Sequence, residues 1–186
     1  GFTEDTSTYE KIRTVYDYVC ANVVYVDDET LKDTTNTIKH SAYAALINGE
    51  AVCQGYATLI YRLLEESGVD CRVIAGIGNG GNHAWNIAGV GGKYYYMDAT
   101  WGDVVKTLHH SCDAYFLMNS DEMLSLYEPH CDFENTTNED YSYYQNKQMY
   151  FDKWDENKMV ALWRKAKSND KRYIEIKCSE NAYDTI

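Results

Sequence analysis

The stretch GEAVCQGYATLIYRLLEESG, Gly49 to Gly68, decides how the chain is read. Small residues give way at Cys53 to a segment in which Leu59, Ile60, Leu63 and Leu64 recur at helical spacing, and Gly68 supplies a C-terminal stop. An amphipathic helix therefore opens on a cysteine. A thiol at that position can be core filler, half of a disulfide, a metal ligand or a nucleophile. Taken alone, a buried free cysteine is more often packing than chemistry.

Upstream, residues 7–24 place Ile12, Val15, Tyr16 and Val19 on one helical stripe. Ser7 or Thr8 can cap that helix, and Glu10 stands three residues after Ser7, as a capping box requires. Residues 26–39 are polar and rich in Thr and Asp, and read as a surface loop. Residues 41–47 predict one or two helical turns, ended by the turn pair Asn48-Gly49. Downstream the period changes. Residues 70–78 and 82–90 alternate in part and are rich in β-branched side chains, Gly91-Gly92 marks a hairpin, and residues 93–101 return as a third strand. Gly78 to Asn82, GNGGN, reads as a mobile hairpin loop beside a cleft. GIGNGG is no P-loop, because no Lys-Ser/Thr follows it and no helix opens there. A helix packed on an antiparallel sheet of at least three strands is an α+β pattern.

Beyond Trp101 the sequence pattern weakens. Residues 114–127 predict a short apolar piece and a short helix opened by Ser120 or Asp121, and residues 132–147 read as irregular. The tail then reads as strand, helix, strand. The predicted organisation is a main domain over residues 1–147 and, over 148–186, an extension or the start of a following domain. The abrupt start at Gly1 and end at Ile186 read as a fragment of a larger multidomain chain.

The 186 residues hold 17 Lys+Arg against 29 Asp+Glu, a formal charge of −12. A nucleic-acid partner needs a basic face, so the balance argues against one. No stretch approaches the roughly 18 apolar residues of a membrane span. The 18 tyrosines read mainly as amphipathic surface, some of them candidates for lining a groove. The six cysteines have no CxxC pair and no regular spacing, a poor disulfide framework; the single bridge expected is Cys112 to Cys131. His109, His110 and Cys112 with His130 and Cys131 have zinc-ligand chemistry at an uncommon spacing. No DxDxDG-type calcium loop occurs, and Asp27-Asp28-Glu29 is too short to suggest one. No metal or other cofactor is expected. The sequon Asn135-Thr136-Thr137 matters only in a eukaryotic secretory pathway.

Three polar residues stand at special places on this scaffold. Cys53 opens the helix, His83 opens the second strand and Asp98 ends the third. The hairpin across Gly91-Gly92 brings His83 and Asp98 towards its open end, and the helix must pack on the same sheet. A helix N-terminus offers unpaired N–H groups and a positive dipole end, which favour thiolate over thiol. An imidazole beside the thiol forms an ion pair with it, and a carboxylate on the far ring nitrogen fixes the tautomer. The Cys53 N–H can donate to an oxyanion.

GEAVCQGYA, NHAWN and YYYMDATWGD, in that order, resemble the transglutaminase-like superfamily of papain-like thiol enzymes. The likeness spans about residues 8–130, with motif separations of 30 and 15 residues (83 − 53 and 98 − 83), as in compact microbial members. The resemblance implies a papain-like core of the transglutaminase type. It implies Cys53 as nucleophile, His83 as base and acid and Asp98 as orienting carboxylate, with Trp85 and Trp101 packing around them. A second oxyanion donor is expected from the segment before the nucleophile, which contains His40, Ser41 and Tyr43. Tyr43 and His40 are the candidates there, and Gln54 is either a further one or a tie for the preceding loop. The implied chemistry is acyl transfer from a peptide or carboxamide, with water as acceptor in a peptidase or amidase and an amine in a transglutaminase. The resemblance favours hydrolysis and an extracellular or cell-surface bacterial setting. A non-catalytic binding module with a tyrosine-lined groove is the alternative.

Overall fold

The computed structural model describes residues 1–26, 34–103, 113–133, 141–179 and 182. It divides into two compact units, Gly1–Asn138 and Glu139–Ile186.

The first unit opens with α1 (Thr8–Asn22). Ser7 is its N-cap and forms the expected capping box with Glu10, and Ile12, Val15, Tyr16, Val19 and Cys20 form its buried stripe. Val24, placed in the helix by its apolar character, instead begins β1 (Val24–Tyr25), which pairs in parallel with β2 (Glu50–Ala51). Thr34–His40 is a 3-10 helix rather than loop. Val52 N–H donates to the Lys39 carbonyl at 3.1 Å, and Lys39 pairs with Glu50 at 2.5 Å. These long-range partners stabilise a turn that local composition alone does not predict. A single π-type turn over Ala44–Asn48 follows and ends on Gly49 at φ 67°.

Helix α2 (Cys53–Glu66) starts at the cysteine and buries Gly55, Tyr56, Ala57, Leu59, Ile60 and Leu64. Each large apolar side chain among them contributes about 1.5–3 kcal/mol by leaving water. The helix ends in a Schellman motif: Val69 N–H donates to the Leu64 carbonyl at 2.9 Å and Gly68 N–H to the Glu65 carbonyl at 3.0 Å. Gly68 takes φ +73° there, a conformation open to glycine.

The sheet runs β5-β4-β3-β6, all antiparallel, from β3 (Cys71–Gly78), β4 (Gly81–Val90), β5 (Lys93–Met97) and β6 (Tyr127–Pro129). The expected mobile loop at Gly78–Asn82 is instead a two-residue hairpin. Gly78 pairs with Gly81, and Asn79 and Gly80 both hold positive φ, the Asn-Gly signature of a tight turn. β4, one of the two internal strands, is buried from Ala84 to Ala88. Its alternation points Asn86 to α2, where it donates to the Ala57 carbonyl at 2.9 Å, and Trp85 and Ile87 to the other face. There Ile74, Trp85, Ile87, Tyr96, Met118, Met123 and Tyr127 form one core cluster.

After β5 come α3 (Ala99–Gly102) and, further on, α4 (Ser120–Leu124). The cap of α4 is Asn119, not Ser120 or Asp121; it forms a capping box with Glu122. Tyr127, read from sequence as the end of that short helix, is the first residue of the edge strand β6. Tyr16, Tyr56, Tyr95, Tyr96 and Tyr127 are buried and build core, while most of the other described tyrosines are partly or fully exposed, as an amphipathic surface requires. Cys20, Cys53, Cys71 and Cys178 carry free thiols, and Cys131 is a free, exposed thiol. Cys112, its expected partner, lies outside the described residues, as do His109, His110, Asp27-Asp28-Glu29 and the sequon Asn135-Thr136-Thr137.

In the second unit, α5 (Tyr143–Asn146) gives a helical turn within the stretch read as irregular. Strand β7 (Tyr150–Phe151), helix α6 (Glu156–Ser168) and strand β8 (Lys177–Cys178) then form a parallel crossover, the expected strand, helix and strand. Tyr144, Phe151, Ala166 and Ala182 are buried. Among the described residues, no helix is long and apolar enough to cross a membrane.

Candidate active site

Asp98 stands where β5 passes into α3 and serves as the N-cap of that short helix. Its Oδ1 accepts from the N–H groups of Thr100 at 2.8 Å and Trp101 at 3.2 Å. Its Oδ2 accepts from His83 Nε2 at 2.7 Å and from the Tyr127 hydroxyl at 2.8 Å. The carboxylate thus takes four hydrogen bonds in a site where it is 1 % exposed. A buried carboxylate so supplied needs no water and holds its donors in fixed directions.

His83 lies near the start of β4, and its side chain is 7 % exposed. Because the carboxylate only accepts, Nε2 carries a proton and donates. Nδ1 is left for the hydrogen bond between the ring and Cys53. Burial pushes the imidazole towards neutrality, but the hydrogen bonds to Asp98 and Cys53 and the negative charge of both outweigh it, raising its pKa to about 9. His83 is therefore an imidazolium at neutral pH. Cys53, half-exposed at the first position of α2, sits beside it. Cys53 and Gln54 contribute first-turn N–H groups that have no acceptor within the helix itself.

Aromatic rings fix the imidazole plane. Trp101 stacks on His83 at 4.9 Å between centroids, Tyr127 lies 5.9 Å away at 9°, and Trp85 6.1 Å away at 19°. Tyr127 in turn stacks on Trp85 and Trp101, each at 4.7 Å. Trp85 is buried and Trp101 partly exposed, so Trp101 forms the solvent side of the stack. Two glycines of β3 make room. A Cβ at Gly78 would lie 3.2 Å from both His83 and Trp101, and one at Gly76 only 2.3 Å from the Glu128 carbonyl oxygen.

The other sequence candidates are arranged differently. His40 Nδ1 lies 3.3 Å from Gln54 Oε1, which joins the 3-10 helix to the first turn of α2. Tyr43 is 57 % exposed, just before the π-type turn. Tyr127 was not a candidate. Nothing local distinguishes it among 18 tyrosines; its role comes from β6 pairing with β3, a contact 49 or more residues away in sequence.

Residues 2–99, more than half of the chain, match the transglutaminase-like superfamily. The chain belongs to that superfamily. The match takes in α1, α2 and the strands β3, β4 and β5, ending just past Asp98. Among curated proteins, Kyphoscoliosis peptidase of Mus musculus is 25 % identical over 111 residues, covering 53 % of this chain and 16 % of that protein. The Homo sapiens protein of the same name is 25 % identical over 105 residues, covering 50 % and 16 %. The matched region is thus about a sixth of the length of these relatives. Among solved structures, a crystal structure of a TGase superposes at a TM-score of 0.47 with 21 % identity, covering 52 % of this chain and 27 % of that one. A cysteine-protease candidate from Cytophaga hutchinsonii superposes at 0.45 with 22 % identity, covering 65 % and 35 %.

Proposed function

We propose that this transglutaminase-like domain is a thiol enzyme acting on peptide or carboxamide bonds, with Cys53 as nucleophile, His83 as proton donor and acceptor, and Asp98 as the orienting carboxylate. The observation that carries the reading is the His83 ring held between two partners: Asp98 at 2.7 Å on Nε2 and Cys53 on the other side. The Cys53 thiolate attacks the carbonyl carbon, and the developing oxyanion is met by N–H groups of the first turn of α2. The His83 imidazolium gives its proton to the leaving nitrogen as the C–N bond breaks, leaving an acyl thioester and a neutral imidazole. Water or an amine then attacks the thioester, giving up a proton to His83, and the thiolate–imidazolium pair is restored.

Hydrolysis is the favoured outcome. The two curated relatives bear the name peptidase, and the half-exposed Cys53 leaves water access to the thioester. A protein substrate and a surface-protein setting for this domain belong to the same proposal. The test is incubation with an unfolded protein, with and without a fluorescent primary amine. Release of new α-amino groups without amine incorporation, lost in Cys53→Ala, supports hydrolysis. Amine incorporation that depends on Cys53 makes the enzyme a cross-linker. Neither product at any enzyme level overturns the catalytic reading.

A further inference from the structure

We propose that Tyr127 is a positioning residue that sets the proton affinity of the Asp98–His83 pair, and with it the pH range over which an imidazolium faces Cys53. The inference rests on the triad reading above and adds a fourth member to it. His83 Nε2 and the Tyr127 hydroxyl donate to the same oxygen of Asp98, at 2.7 and 2.8 Å. Two donors on one oxygen divide its negative charge. The phenol therefore weakens the hold of Asp98 on the His83 proton by the share it takes.

Four features show that the phenol is built in. Tyr127 is 2 % exposed, so its hydroxyl has no bulk water as an alternative partner. Burial, and next the charge of Asp98, push its pKa upward, so it remains a donor throughout the working range. Its ring is held by contacts other than the hydrogen bond, stacked on Trp85 and Trp101. The backbone is held too: Gly78 pairs with Tyr127 and Gly76 with Pro129, where the missing Cβ of Gly76 lets β6 approach. A phenylalanine at 127 keeps these contacts and loses only the donor.

Other titratable groups approach the pair from α1, α2 and the segment at Tyr115. Cys53 faces His83 from α2. Tyr16 of α1 donates to the Asp98 carbonyl at 3.3 Å, and Cys20 of the same helix feels the Asp98 charge. Tyr115 lies within electrostatic reach of Tyr127. The Tyr127 hydroxyl donates to the side-chain oxygen that His83 uses, whereas that of Tyr16 donates to the Asp98 backbone carbonyl.

The test is the pH dependence of Cys53 carboxymethylation by iodoacetate. The anionic reagent is drawn to the imidazolium, so its rate falls as His83 loses its proton. The wild-type alkaline limb should lie near pH 9. Tyr127→Phe should move it up by about half to one pH unit, because the whole of the shared oxygen then serves His83. Site-specific 3-fluorotyrosine at 127, a stronger donor of the same shape, should move it down, and this variant decides the matter if the phenylalanine variant does not fold. A limb that stays at the wild-type position in the folded variants overturns the role of Tyr127 and leaves the triad intact. No alkaline limb in wild type, with rates equal to those of His83→Ala, overturns the triad reading itself.

Discussion

His83 Nε2 lies 2.7 Å from Asp98 Oδ2 in a site where the carboxylate is 1 % exposed, so the imidazole and the carboxylate form one largely buried unit. The same carboxylate caps α3 through Oδ1, which makes it a structural and a chemical element at once.

That double role can be separated. Asp98→Asn keeps an oxygen able to cap α3, since asparagine and aspartate cap about equally well. Its amide nitrogen, however, is a donor set among the donors His83 and Tyr127. The His83 pKa should fall from about 9 to the ordinary 6.5 or below, read from the ring resonances by NMR titration. A value that stays near 9 in a folded Asp98→Asn protein contradicts the assigned role of the carboxylate.

The glycines of β3 should differ in what they tolerate. A Cβ at Gly76 meets backbone, the Glu128 carbonyl at 2.3 Å and Pro129 Cα at 2.8 Å, with the Trp85 ring at 2.6 Å. Backbone cannot swing aside, so Gly76→Ala should displace β6 and destabilise the domain by about 2–3 kcal/mol in urea unfolding. At Gly78 the contacts are ring edges at 3.2 Å, which give by a few tenths of an ångström. Gly78→Ala should therefore destabilise by less than about 1.5 kcal/mol while tilting the His83 ring. Equal losses at both positions count against the packing described for the edge strand.

Helix α2 and those glycines differ in how far the sequence reveals them. Helix α2 was legible because its apolar spacing, its cysteine start and its glycine stop lie within one continuous stretch. The β3–β5 meander was legible through alternation and Gly91-Gly92, and His83 and Asp98 through their places on it. Strand β6 was not legible. It is three residues long, contains Pro129 and exists because it pairs with Gly76–Gly78. Tyr127, the residue it delivers to Asp98, was hidden with it. The 3-10 helix over Thr34–His40 was missed for a similar reason, since Lys39 is held by Val52 and Glu50. Asn79-Gly80 is the opposite case: the turn signal was local, and the extra glycines around it read as mobility.

Stability should depend on pH through His83. Its folded pKa of about 9 stands above the ordinary 6.5, so the folded protein binds this proton more tightly. The contribution is fully present below about pH 6.5 and is lost as pH rises through 9, on the order of 3 kcal/mol in all. Urea unfolding of wild type should weaken between those pH values by roughly that much more than unfolding of His83→Ala. Parallel pH dependence in the two proteins contradicts the buried ion pair.

The Cys53–His83 contact is tested most directly by the rate of Cys53 alkylation by iodoacetamide, resolved from the other five cysteines by mass spectrometry. At about pH 6, wild-type Cys53 should react at least about tenfold faster than a cysteine in an unstructured peptide, whose thiolate is scarce there. His83→Ala should lose that excess. Alkylation at the peptide rate, unchanged by removing His83, would contradict the nucleophile assignment and leave a transglutaminase-like fold used for binding.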